Sequence, residues 1–269
     1  MAAPPWQKRC FPESALVIIK LGERQTGFIM TSSTPSSVLL LEEVTFAWRS
    51  DQVILSIPQF EMRRGERVFL RGPSGSGKST LLSLISGVLT PKSGKIQLLG
   101  TAMDRARASQ RDALRARELG VIFQMFNLVP YLSVLENVAL PCRFSLARGL
   151  RAKAAGGSIE GEASRLLARL GLGEEDIRVR KATDLSVGQQ QRVAAARALI
   201  GGPSLILADE PTSALDTEAR SVFIDLLSEE CAARGSSLLF VSHDLSLAPH
   251  FDRMVDLTEI NIAYSRVQA

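Results

Sequence analysis

The sequence predicts an α/β fold in which a mostly parallel sheet is covered by helices on both faces, and three observations predict it. Four apolar runs of strand length each end in polar residues. These are Val68-Phe69-Leu70 before Arg71-Gly72, Val121-Ile122-Phe123 before Gln124, Leu205-Ile206-Leu207-Ala208 before Asp209-Glu210, and Leu238-Leu239-Phe240-Val241 before Ser242-His243. Unbroken apolar strands are buried on both faces, as in a parallel sheet. The first run feeds Gly72-Pro73-Ser74-Gly75-Ser76-Gly77-Lys78-Ser79, followed by Thr80, which matches the G-x-x-x-x-G-K-[ST] spacing of a phosphate-binding loop. Between the second and third runs, residues 125–190 show helical spacing and read as a helical subdomain inserted into the core.

The chain has 269 residues, 45% of them hydrophobic, enough for a large α/β domain with a buried core. Residues 1–37, with Pro4-Pro5, Pro12 and Pro35, read as a loosely ordered extension, and Met30 is an alternative start of translation. Residues 38–46 and the alternating Val53, Leu55 and Ile57 read as two strands, with Trp48 in a turn between them. Residues 94–99 read as a further strand and 104–117 as a solvated helix. Residues 134–140 and 162–170 are helical, the stretch 150–161 is a connector, residues 189–199 form another helix, and Ala219, Val222, Phe223, Leu226 and Leu227 stripe one more. The domain reading runs from 38 to 257, with 258–269 as a tail.

Composition narrows the function classes. No apolar run approaches the roughly 20 residues of a membrane-spanning helix, so a membrane role would be borrowed from a partner. Cys10, Cys142 and Cys231 share no metal-site spacing, and a reducing cytoplasm is the expected home. A net charge of +4 demands neither nucleic acid nor anionic lipid, and the arginine-rich segments 105–117, 143–153 and 178–181 read as solvated faces.

Ligands of parallel sheets bind at the carboxyl ends of strands, so the polar residues after the four runs should converge on one nucleotide. The glycines let the loop's N–H groups turn towards an anion, and the helix starting near Lys78 adds its positive dipole end. Lys78 reaches the β- and γ-phosphates, and Ser79 ligates Mg²⁺ beside Thr80, with Asp209 as its carboxylate partner. Glu210 can take a proton from an attacking water, His243 can hold Glu210 and the γ-phosphate in line, and Gln124 can contact metal or water. Trp48 offers a flat ring for an adenine. Leu185-Ser186-Val187-Gly188-Gln189 opens a helix with small uncharged residues, a second anion site that another copy of the chain could use.

These residues resemble the ATP-binding cassette proteins over about residues 38–257. Residues 72–80 resemble the Walker A loop, Gln124 the Q-loop, Leu185-Ser186-Val187-Gly188-Gln189-Gln190-Gln191-Arg192 the signature motif, residues 205–216 Walker B joined to the D-loop, and Ser242-His243-Asp244 the switch histidine. Val187 departs from the family's second glycine. The resemblance implies a P-loop NTPase cassette with a RecA-like core, an antiparallel β subdomain and an inserted α-helical subdomain. It further implies ATP and Mg²⁺ as ligands, Glu210 as catalytic base and Trp48 as the adenine stacker. It implies a head-to-tail homodimer in which Ser186, Gly188, Gln189 and Asp216 serve the opposite subunit's ATP. The stretch 123–141 is similar to the lipoprotein-releasing and macrolide-exporting branch, whose permease is a separate membrane protein docking near residues 125–137, where Phe126, Leu128, Val129 and Tyr131 are candidates. Nucleic acid is not an expected partner. An alternative is the same ATPase driving a membrane partner for signalling or cell-wall regulation without transport.

Overall fold

The computed structural model describes residues 37–49, 52–213 and 215–267. The proline-bearing N-terminal stretch and Met30 lie outside them. The first strands, β1 (Ser37–Arg49) and β2 (Gln52–Arg63), pair antiparallel with Leu41 opposite Phe60 and Phe46 opposite Leu55. Next, β3 (Arg67–Arg71) enters a second layer and leads through the glycine loop into α1 (Lys78–Ile85). The chain then returns through β4 (Ser93–Leu98) and β5 (Thr101–Ala102), completing an antiparallel sheet of order β2-β1-β4-β5. After α2 (Ala108–Glu118) and β6 (Leu119–Ile122) come four helices: α3 (Val134–Phe144), α4 (Leu146–Gly156), α5 (Ile159–Arg169) and α6 (Glu175–Val179). The core resumes with α7 (Val187–Leu199), β7 (Leu205–Asp209), α8 (Thr217–Arg234), β8 (Ser237–Val241) and β9 (Arg253–Asp256). The short helices α9 (Leu257–Ile260) and α10 (Ile262–Val267) follow. The second sheet is parallel throughout, in the order β6-β7-β8-β3-β9.

The apolar runs explain this layering, because successive side chains of a strand point to opposite faces. Val68, Leu70, Leu207, Leu239 and Val241 face α1 and the antiparallel sheet, where Leu41, Leu81 and Leu84 meet them. Phe69, Ile206, Ala208, Leu238 and Phe240 face the helical side, against Val193, Leu199 and Leu227. Phe240 lies 5.0 Å from Phe251 and 6.2 Å from Phe69, ring centre to ring centre, an arrangement worth about 1 kcal/mol per pair beyond the area buried.

Several expectations are corrected. Trp48 lies within β1, not in a turn. Residues 146–156, most of which read as a connector, form α4, because Leu, Ala, Arg and Lys are strong helix formers and Ser145 caps the start by accepting from the Arg148 N–H. Segment 143–153, read as a solvated face, is solvated at Arg143 and Lys153 but not at Arg148, which is only 2% exposed. Phe126 is core. The described residues after β9 form the helices α9 and α10, which pack on β2.

Candidate functional site

Register places the polar residues at one edge of the parallel sheet. Val241 pairs with both Leu70 and Asp209, and Ala208 pairs with Ile122, so the chain emerges from β3, β6, β7 and β8 at nearly one level. The loop after β3 needs its glycines. Gly77 sits at φ 98°, and a Cβ there would come within 2.7 Å of Leu55 Cδ2. At Gly72 a Cβ would come within 2.7 Å of Ser76 Oγ. Gly75 is also left-handed at φ 81°, and the loop leads into the first turn of α1, whose N–H groups have no intrahelical partner. Pro73, Ser74 and Gly75 form the exposed rim, and Ser76 is buried.

Lys78 Nζ donates to Gly72 O at 2.7 Å and Pro73 O at 3.0 Å, which holds the ammonium across the loop mouth. Ser79 Oγ donates to Asp209 Oδ2 at 2.9 Å, and Thr80 follows on the same helical turn, half-buried. Burial pushes the Asp209 carboxyl above its ordinary range, and the bond from Ser79 only partly offsets this. Glu210, next in sequence, takes a left-handed backbone at φ 47°, rare for a side chain of this type. Both its carboxylate oxygens lie 3.0 Å from His243 Nδ1. Strain of this kind concentrates at functional positions because the surroundings hold it. Trp48 is 64% exposed and makes a T-shaped contact with Phe46, ring centres 5.1 Å apart.

Gln124 is exposed in the turn after β6. The two residues beyond Met125, Phe126 and Asn127, are both left-handed, at φ 59° and 48°. Arg197 holds them, donating from Nη2 to Phe126 O at 2.6 Å and from Nη1 to Asn127 O at 2.7 Å. Ser186 caps α7 in a reciprocal box: its Oγ accepts from the Gln189 N–H at 3.3 Å while Gln189 Oε1 accepts from the Ser186 N–H at 2.9 Å. Gly188 faces Leu215, and Val187 is half exposed on the first helical turn. Asp216 caps α8 by accepting from the Ala219 N–H at 2.8 Å. The nucleotide-loop residues, Asp209, Glu210 and His243 are thus assembled together, while the signature residues bond within their own helix start.

Sequence reasoning missed two positioning arginines. Arg197 stands alone among Ala194, Ala195, Ala196 and Ala198, and a lone charge inside a small apolar run is the signal that could have found it. Arg220 donates to Leu215 O at 2.8 Å and to Asp244 Oδ2 at 2.7 Å, tying the segment before Asp216 to the residue after His243.

A glycine loop with its lysine, a hydroxyl–carboxylate pair and a glutamate–histidine pair at the ends of parallel strands define a P-loop nucleotide-binding protein. Residues 55–213 match the family model described as ABC transporter. The chain is 43% identical over 200 residues to the lipoprotein-releasing system ATP-binding protein LolD of Hydrogenovibrio crunogenus, covering 74% of this chain and 83% of that protein. It is 41% identical over 204 residues to the uncharacterized ABC transporter ATP-binding protein YbbA of Escherichia coli K12, covering 76% and 86%. Among solved structures it is similar to the dimeric bacterial ABC transporter cassette MJ0796, with a TM-score of 0.69, 33% identity, and coverage of 81% of this chain and 93% of that one. A post-hydrolysis dimer of the same cassette bound to ADP and Pi matches with a TM-score of 0.70. The chain belongs to the ABC transporter family and is its ATP-binding cassette.

Proposed function

We infer that this chain is the ATP-hydrolysing subunit that energises a transporter whose permease is a separate polypeptide, and the observation that carries this is the Glu210–His243 pair beside Ser79 and Asp209. Glu210 takes a proton from the attacking water as the water oxygen bonds to the γ-phosphorus and the bond to the ADP oxygen breaks. His243 holds the Glu210 carboxylate in place for that transfer. Lys78 balances charge on the β- and γ-phosphates, and Trp48 stacks on the adenine. Ser79 Oγ and the Asp209 carboxylate are hard oxygen donors meeting at one point, a set that suits Mg²⁺ once phosphate oxygens join it, with the Gln124 amide as a further donor. Bound there, the ion would neutralise phosphate charge.

The assembly is a head-to-tail homodimer around two ATP molecules, with Ser186, Gly188, Gln189 and Asp216 of each subunit facing the other's nucleotide. The capping box at Ser186 uses the Ser186 and Gln189 N–H groups and leaves those of Val187 and Gly188 as the donors at the start of α7, and a solved relative is a dimer. Among the described residues no helix is long and apolar enough to cross a membrane, so attachment to the inner face of the cell membrane runs through the permease. A groove of about 590 Å³ fits that partner. Phe123, Leu140, Pro141 and Phe144 line it, and the guanidinium-bearing Arg148 and Arg197 contribute to its wall. Likeness to LolD favours the lipoprotein-releasing branch.

The test is capture of the Glu210→Gln protein from native membranes in MgATP. The expected result is a nucleotide-locked dimer together with a multi-span permease bearing a large external domain. A variant that stays monomeric, or that brings ribosomes or DNA-processing proteins instead, overturns the reading.

A further inference from the structure

Asn261, between α9 and α10, is fully buried and lies outside every motif of the candidate site. Its amide is saturated. Oδ1 accepts from the Ser56 N–H at 2.8 Å and the Ala263 N–H at 3.2 Å, while Nδ2 donates to Ile54 O at 3.0 Å and Ser76 O at 3.3 Å. One side chain therefore joins three segments: β2, the phosphate loop and the C-terminal helices. Ser76 O belongs to the peptide leading into left-handed Gly77 at the start of α1. Ser76 Oγ has no partner among the described residues.

The strand that Asn261 grips leads to the base site. Leu55, between Ile54 and Ser56, packs against Gly77 and pairs with Phe46, whose ring supports Trp48 edge-on. A path of direct contacts thus runs from the loop, through Asn261 and β2, to the exposed indole. With phosphates on the loop and adenine on Trp48, ATP must match the distance between two elements that share one core, the glycine loop and the β1–β2 hairpin. That match is where preorganisation contributes affinity.

We propose that Asn261 is a positioning residue that fixes the phosphate loop relative to the adenine-stacking hairpin. The proposal rests on the nucleotide reading above. It predicts a ligand-selective defect, because inorganic tripolyphosphate occupies only the loop whereas ATP spans both pieces.

The experiment measures binding of ATP and of tripolyphosphate, each as the Mg²⁺ complex, to the full chain and to Asn261→Ala, Asn261→Ser, Trp48→Ala and the Trp48→Ala/Asn261→Ala double variant. Asn261→Ser is neutral, keeps a short acceptor for the Ala263 N–H and withdraws the reach to Ser76 O, so it serves where the alanine variant does not fold; thermal unfolding without ligand checks each protein. The expected result is ATP affinity lower by about tenfold in the Asn261 variants, with tripolyphosphate affinity within about twofold of wild type. The double variant should lose little more ATP affinity than Trp48→Ala alone, since a spacing role has no effect once the stack is gone. Equal loss of both ligands, no loss of either, or additive losses in the double variant overturns the proposal. A wild-type chain that binds neither ligand overturns the nucleotide reading instead.

Discussion

Burial holds the Asp209 carboxyl above the usual aspartate range, because its charged form gives up water that the bond from Ser79 only partly replaces. An acid that binds its proton more tightly when folded destabilises the fold in its ionised form. That cost is present at neutral pH and is relieved as pH falls through the raised value. In the proposed role the carboxylate would be kept for binding the metal at the expense of stability. Asp209→Asn removes the charge and can still accept from Ser79 Oγ. Its nucleotide-free melting temperature should be unchanged or higher, while Mg²⁺-dependent hydrolysis falls by at least about 100-fold. Lower stability with hydrolysis intact would refute the assignment. Glu210 shows the same trade in its backbone, since φ 47° carries a cost of about 1–3 kcal/mol. Its place at the end of β7 was legible in the sequence, as a carboxylate directly after an apolar run. Its left-handed conformation was not, because nothing in the side chain of glutamate encodes it.

Two buried arginines join the helical region to the sheet, and neither has a carboxylate partner in the bonds that hold it. Arg148, on α4, donates to Ile200 O at 2.6 Å, Leu119 O at 2.8 Å, Ala198 O at 2.5 Å and Arg197 O at 3.4 Å. These are the unpaired carbonyls at the end of α7 and the start of β6, where the negative end of the helix dipole favours a cation. Burial pushes the guanidinium down to about 10, so it stays charged at neutral pH. Arg148→Met should cost about 3 kcal/mol in denaturant unfolding, because it strands several buried carbonyls; Arg148→Lys should recover less than half, since an ammonium cannot span four acceptors. A loss below about 1 kcal/mol for the methionine variant would show that water replaces the bonds. Charge density along 143–153 signalled solvent because composition cannot reveal which carbonyls a fold brings near. The strands of the parallel sheet were legible for the opposite reason: a run such as Leu238-Leu239-Phe240-Val241 has few other ways to be buried. Asn261 was invisible, as its four partners are distant in sequence or local backbone.

Besides the apolar core it shares with the parallel sheet, the helical region is tied to the core by polar side chains on two sides among the described residues. On one side Glu162 and Arg165 of α5 meet Glu230 and Arg234 of α8, with Arg165 Nη2 2.7 Å from Glu230 Oε2. Hydrogen bonds from Arg165 hold the Glu230 carboxyl below its ordinary range. On the other side Arg148 and Arg197 reach from the helical elements to β6 and to the turn that carries Gln124. The groove opens on that second side, between α2, β6 and the end of α3. A partner seated there would touch elements bonded both to Gln124's turn and to α7, whose N-terminus is the signature motif. Motion in the partner would then reach both nucleotide contacts through α7 as a rigid rod. Phe144 tests this, since its ring is 73% exposed at the groove wall and a charge there costs the free protein little. Phe144→Glu should leave stability within about 0.5 kcal/mol and basal ATP hydrolysis within about twofold. In the Glu210→Gln background it should still form the ATP-locked dimer yet fail to bring the permease from membranes, because a carboxylate buried against an apolar partner loses its water without a cation to replace it. Undiminished permease recovery would move the docking surface away from the groove and onto another exposed apolar position, such as Met125 or Tyr131 in the loop after Gln124.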